Sequence, residues 1–234
     1  MFAFRDTREG GVVVDVAFTD STTSLAEPAD RPAEGSGTWS TRVADLEAEC
    51  GVPLLRMHQV HGAGVQVVED WRSSVWDPHV DGLVTAQTGV GLMVRAADCV
   101  PVLLADAGKG VVGAAHAGRQ GVAVGVVPAT VAAMRRLGAD DIVAWVGPHI
   151  CGGCYEVPKD LRDEVTASVP STWSVTTWGT PALDLGAGVS AQLAEAGCEA
   201  LVVEGCTRED PRWHSFRRDG ALSGRFAGLV WIRP

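Results

Sequence analysis

The chain has 234 residues, 46% of them hydrophobic and 21% charged, the profile of a globular protein that buries one substantial core. Its formal net charge of −10 argues against a surface that coats nucleic acid or is drawn to anionic membranes, while leaving room for a small anionic ligand held by local arginines. The N-terminus lacks the layout of an export signal and no apolar run reaches bilayer-spanning length, so the expectation is a cytoplasmic protein whose six cysteines are mostly thiols.

Short β-like runs recur along the chain: GVVVDVAF (11–18), VQVVE (65–69), GVGLMV (89–94), VPVLLAD (100–106), GVVGAAHAG (110–118) and DIVAWVG (141–147). Several are apolar at successive positions, as in a sheet covered on both sides. Helical patterns lie between them. Trp39, Val43, Leu46 and Cys50 recur at helical spacing, as do Leu185, Val189, Leu193 and Ala196 behind Asp184, a predicted N-cap. The segment from about Pro128 reads as a helix closed by Gly138. The Pro-, Ser- and Gly-rich stretch 21–37 reads as a surface loop too short to divide the chain. One α/β domain over 1–234 is expected.

Three segments place reactive side chains beside glycine or at strand ends: QVHG with His61, AADCVPVLLAD with Asp98 and Cys99, and GAAHAGRQG with His116. Two histidines and a cysteine make a three-ligand zinc set with one position left for water or substrate. Without metal the same residues suit a Cys–His nucleophile pair. A buried apolar cysteine among hydrogen-bonded structural histidines is the third reading that residue types leave open. His58 and His61, three apart, would face opposite sides of a strand, so one of the two is expected to work.

GPHICGGCYEV carries Cys151 and Cys154 as C-x-x-C next to His149. A second C-x-x-C is absent, and the glycines and following YEVP suit a tight turn better than a redox helix. Toward the C-terminus Arg208, Arg212, Arg217, Arg218 and Arg225 concentrate positive charge in an acidic chain, suited either to anion recognition or to solvated surface. The RRDG stretch also reads as a hairpin turn, and Arg8 in TREGG as a turn residue or an anion contact.

In series, TREGG, QVHGAGV, DGLVT, ADCVPVLLAD, GVVGAAHAG, GPHICGGCYEV and CTRED…SFRRDG…GRFAGLVWI resemble the YfiH-type proteins, also called multicopper polyphenol oxidase or laccase-domain proteins, across nearly the whole chain. The resemblance implies a single α/β domain with a mixed sheet flanked by helices, related to the catalytic domain of cytotoxic necrotizing factor. It implies a Zn2+ site at His61, Cys99 and His116, with Cu2+ as an alternative metal, and those residues as the catalytic set. It also implies phosphorolysis of adenosine, inosine, guanosine and methylthioadenosine, together with adenosine deamination. Partners are then purine nucleosides and phosphate, with no nucleic acid or membrane, in a monomer or dimer. Arg8, Arg217 and Arg218 are the expected phosphate contacts, and Asp98 and Glu156 the proton shuttles. Rival readings are a cysteine-nucleophile amide hydrolase editing peptidoglycan precursors, copper-dependent phenol oxidation, and non-catalytic metal or nucleotide binding. Six scattered histidines do not make the ligand set of several coppers. The family's usual HAGWRG is HAGRQG here, so a tryptophan is absent and Arg119 sits one position early.

Overall fold

The structure, a computed structural model, describes residues 1–27 and 35–233. Its strands form two large mixed sheets. In the first, the order is β1 (Phe2–Glu9), β2 (Val13–Thr19), β13 (Phe226–Ile232), β6 (Gly91–Ala96) and β3 (Leu54–Arg56). In the second it is β12 (Glu199–Val202), β9 (Val143–Val146), β7 (Val100–Asp106), β8 (Val111–Ala117), β5 (Gly82–Thr85) and β4 (Val65–Val68). The β3–β6, β4–β5 and β9–β12 pairs are parallel and the other pairs within these sheets antiparallel. A small hairpin joins β10 (Trp173–Val175) to β11 (Pro181–Leu183).

The sheets pack face to face. Val14, Val16, Phe18, Leu92, Val94, Phe226 and Val230 of the first share one buried cluster with Leu103, Ala105, Val112, Ala114 and Trp145 of the second. The alternate residues point outward and are covered by helices, so both faces of the central strands are apolar. On the first sheet, Ala17, Leu54, Met93, Leu229 and Trp231 pack against Val43, Leu46 and Cys50 of α1 (Gly35–Cys50). On the second, Val102, Leu104, Ala115 and Ala144 meet α2 (Arg119–Val124), α3 (Val126–Arg136), α4 (Lys159–Ser168) and α5 (Leu185–Glu195). The layers are therefore helix, sheet, sheet and helices.

The predicted helices are present with shifted ends. Asp184 caps α5, accepting the Ala187 amide at 2.8 Å. The α3 helix starts at Val126, earlier than expected, because Gly125 takes φ 86° and turns the chain directly out of α2. The stretch read as a surface loop differs in two ways: Leu25 is fully buried under α1, and α1 already begins at Gly35. Residues 28–34 of that stretch lie outside the described residues. RRDG is no hairpin. It forms the short helix α6 (Phe216–Asp219), capped by the Ser215 hydroxyl accepting the Arg218 amide at 3.1 Å. Among the described residues no helix is long and apolar enough to cross a membrane.

Candidate active site

Three chain segments meet where the polypeptide passes from one sheet to the other. β6 ends at Ala96 in the first sheet and β7 starts at Val100 in the second, so Ala97, Asp98 and Cys99 form the crossing. Asp98 adopts φ 88°, a costly conformation for a residue with a Cβ. Its carboxylate is buried and accepts the Thr207 hydroxyl at 2.7 Å and the Arg217 amide at 2.5 Å, which holds the turn and aims Cys99.

His116 enters from β8. The antiparallel register sets it opposite Pro101, bringing Cys99 alongside Ala117 and Gly118. His61 comes from the loop between β3 and β4. That loop is not a strand, and Gln59 fastens it to β6: its amide donates to the Arg95 carbonyl at 2.8 Å and its Oε1 accepts the Arg95 amide at 2.9 Å. Because the loop is irregular, strand alternation does not separate its histidines. His58 and His61 line the same cavity, and the His58 ring stacks on His79 with centroids 4.3 Å apart.

Asp81 organises the set. It is fully buried, directly before β5. Its Oδ1 lies 2.8 Å from Nδ1 of His116 and accepts the His61 amide at 2.9 Å, while Oδ2 accepts the Gly62 amide at 2.7 Å and the Val60 amide at 3.2 Å. Those amides fold the loop so that His61 takes φ 62°. With Nδ1 engaged by Asp81, Nε2 of His116 is left to face Cys99. Sequence reasoning missed Asp81, whose Asp-Gly context resembles an ordinary turn.

The donor atoms of His61, Cys99 and His116 all lie within 4.8 Å of one another. Burial raises the Cys99 thiol, but His116 and His61 outweigh it and bring the thiol down to about 6. Burial likewise depresses His116, and the Cys99 sulfur and Asp81 more than reverse this, to about 9. Burial raises Asp81 too, yet hydrogen bonds from His116, Gly62 and His61 leave it below the ordinary carboxylate range. The two histidines thus favour the Cys99 thiolate, the form a metal or an electrophile requires. Gly118 keeps space for an added ion: a Cβ there would stand 2.8 Å from Cδ2 of His61 and 3.1 Å from Sγ of Cys99. One thiolate, two imidazoles and a carboxylate behind one of them fit zinc in an open three-ligand site.

These residues floor a cavity of about 590 Å³, a size suited to a small organic substrate. Tyr155 and Phe216 supply aromatic wall, and Arg95, Arg217 and Arg225 supply positive charge. Arg217 lies over the Tyr155 ring at 5.0 Å and donates to the Glu156 carbonyl at 2.8 Å. A second cavity, about 430 Å³, shares His61 and contains Arg119, so the HAGRQG arginine still reaches the site's edge.

Of the other expected contacts, Arg8, Arg218 and Glu156 do not line this cavity, whereas Asp98 does. Arg8 sits on the inward face of edge strand β1, its guanidinium 5.6 Å from the centre of the Trp145 ring and beside Asp6. Arg218 binds the carbonyls of Thr207 and Trp213, at 2.8 and 2.9 Å, and the Asp219 carboxylate. The Glu156 side chain is exposed and accepts the Trp178 indole N–H at 2.9 Å, and the Asp98 carboxylate is taken up by the turn it holds.

A family model for the multi-copper polyphenol oxidoreductase laccase proteins matches residues 2–233. The chain belongs to this family. Laccase-domain relatives include the purine nucleoside phosphorylase of Streptomyces coelicolor, 53% identical over 179 residues, 75% of this chain and 74% of that protein. The purine nucleoside phosphorylase of Mycobacterium tuberculosis H37Rv is 46% identical over 195 residues, 81% of this chain and 77% of that protein. Among solved structures, a Neisseria meningitidis protein of the DUF152 family superposes with a TM-score of 0.83 at 26% identity, covering 98% of this chain and 99% of the other. The laccase-domain fold is thus shared over the whole chain.

Proposed function

We propose that this laccase-domain protein is a zinc-dependent purine nucleoside phosphorylase, acting on adenosine, inosine, guanosine and methylthioadenosine, that also deaminates adenosine. The observation that carries the reading is the convergence of Cys99, His61 and His116 beside a cavity of small-molecule size bordered by Arg217 and Arg225. The names of the Streptomyces and Mycobacterium relatives support phosphorolysis in particular.

Zinc held by His61, Cys99 and His116 would supply Lewis-acid polarisation of an oxygen and an acidified water. The chain's own residues do the rest. Asp81 fixes the His116 tautomer through Nδ1 and, through the amides of Val60, His61 and Gly62, the direction of His61. Tyr155 and Phe216 exclude water around the base and sugar. Arg217 balances the charge of phosphate as its oxygen bonds to C1′ of the ribose and the glycosidic bond breaks, its electron pair leaving with the purine. The products are free base and ribose 1-phosphate. In deamination, water displaces the C6 amino group of adenosine, giving inosine and ammonia.

The phenol-oxidase reading finds little support in the histidines. His58 stacks on His79, His149 pairs with the Gly147 carbonyl and His214 with the Thr23 carbonyl, leaving His61 and His116 in the metal-ligating group. A second reading has a specific observation behind it: Cys99, His116 and Asp81 run in series like a nucleophile, base and orienting acid, which suits an amide hydrolase.

Mass-spectrometric product analysis of zinc-analysed protein with adenosine, with and without phosphate, tests the proposal. Adenine and ribose 1-phosphate formed only with phosphate, and inosine formed in either case, are the expected products. Covalent labelling of Cys99 by an amide substrate analogue, in metal-free protein that remains active, would overturn it in favour of the hydrolase.

A further inference from the structure

The C-x-x-C that had no partner in the sequence has one in space. Donor atoms of Cys151, Cys154, Cys206 and Glu209 lie within 4.8 Å of one another, in a group separate from His61, Cys99 and His116. Cys206-Thr207-Arg208-Glu209 repeats the C-x-x-C spacing with a carboxylate in the last place. Both turns have the same hydrogen bonds. The Cys151 carbonyl accepts the amides of Cys154 at 2.9 Å and Tyr155 at 3.0 Å; the Cys206 carbonyl accepts those of Glu209 at 3.1 Å and Asp210 at 2.9 Å.

The two turns are held against each other. A parallel bridge pairs His149 with Cys206, and the Thr207 amide donates to the His149 carbonyl at 3.0 Å. The Cys151 amide points at Sγ of Cys206, 3.4 Å away, an arrangement that stabilises negative charge on sulfur. Gly152 is required where it stands: a Cβ would come 2.6 Å from the Ser174 hydroxyl oxygen and 2.8 Å from Cβ of Asp184. All three sulfurs are free thiols.

We propose that Cys151, Cys154, Cys206 and Glu209 bind a structural Zn2+ that clamps the 151–155 turn to the 206–210 turn. Three thiolates and one carboxylate complete a closed tetrahedral set, in contrast to the open His–Cys–His site. Zinc–sulfur bonds of about 2.3 Å place tetrahedral sulfurs roughly 3.8 Å apart, so only small side-chain movement is needed. The clamp bears on the cavity through adjoining residues: Tyr155, next to Cys154, forms its wall, and Thr207, next to Cys206, donates to the Asp98 carboxylate at 2.7 Å.

The test does not depend on turnover. A His61→Ala, Cys99→Ala, His116→Ala protein, prepared under reductant, has lost the other ligand group. Elemental analysis is expected to find one zinc per chain, and zinc X-ray absorption a first shell dominated by sulfur. Adding Cys154→Ala or Cys206→Ala is expected to remove that zinc and lower the melting temperature. In wild-type protein, Cys151 and Cys206 should resist alkylation until a chelator is added, a measurement that holds even if the combined variant does not fold. A folded triple variant without zinc, or a disulfide among these three cysteines in protein as isolated, would overturn the proposal.

Discussion

Asp81 and His116 stand opposite each other at the ends of neighbouring antiparallel strands, Oδ1 to Nδ1 at 2.8 Å, and the backbone repeats the link: the His116 amide donates to the Asp81 carbonyl at 2.8 Å. The same carboxylate collects three amides of the His61 loop. A single buried side chain thus aligns two of the three residues expected to hold metal. Substituting asparagine removes the charge and disrupts this acceptor set. Asp81→Asn is expected to weaken zinc binding about 10- to 100-fold, as is usual for residues behind metal ligands. Competition against a chromophoric chelator measures it; unchanged affinity would show that Asp81 serves only the fold.

Gly118 gives a sharper steric prediction. The Cβ of Gly118→Ala would lie 2.8 Å from the His61 ring and 3.1 Å from the Cys99 sulfur. The variant is expected to fold with near-normal circular dichroism and to lose most of its metal at the His61–Cys99–His116 site. Site-resolved zinc analysis beside a thermal melt separates the two effects.

The two neighbouring arginines of α6 should behave differently. Arg217 lines the cavity and has one carbonyl partner, so Arg217→Ala is expected to raise KM for phosphate at least tenfold and to lower the melting temperature less than Arg218→Ala does. Arg218 is tied to the carbonyls of Thr207 and Trp213, so Arg218→Ala should lower the melting temperature and affect phosphate binding less. Arg8, stacked on Trp145, should leave phosphate kinetics unchanged when replaced by Ala.

Asp106 ties the end of β7 to the turn before β9. It is buried and accepts the amides of Lys109 at 2.9 Å, Asp140 at 2.7 Å and Asp141 at 3.0 Å. Burial raises its carboxyl, but these amides and that of Gly108 carry it below the ordinary value. A depressed folded value means that its contribution is present above the unfolded value, near about 4, and disappears as pH falls through the folded one. Asp106→Asn is expected to cost about 1.5–3 kcal/mol at neutral pH. Urea unfolding should show the gap between the two proteins closing below about pH 4.

How much of this was legible in the sequence depended on whether a feature was local. The helices containing Val43 and Val189 follow from apolar spacing, the helix after Pro128 from its Pro start and Gly138 close, and the Asp184 cap from residue type. The two-sheet sandwich does not follow. Strands such as β7 and β13 are buried on both faces, so periodicity cannot tell a helix-covered sheet from one packed on another sheet. His61, Cys99 and His116 stood out because glycines and strand ends flank them, and the family resemblance joined them. The placement of Arg8 was not legible because its motif reads as a turn, whereas the alternation of β1 sends it inward with Phe4 and Asp6. Glu209 was invisible as a ligand, since only the bridge between His149 and Cys206 brings it to the C-x-x-C.

In the proposed function, zinc at His61, Cys99 and His116 is what enables action on purine nucleosides. The most direct measurement is the rate of inosine phosphorolysis by protein stripped of metal and then titrated with zinc, run beside Cys99→Ala. The expected result is no hypoxanthine or ribose 1-phosphate from stripped protein, activity restored as zinc refills the His61–Cys99–His116 site, and a Cys99→Ala variant that stays inactive at every zinc concentration. Full activity in the stripped protein, or in a folded Cys99→Ala variant, would contradict it.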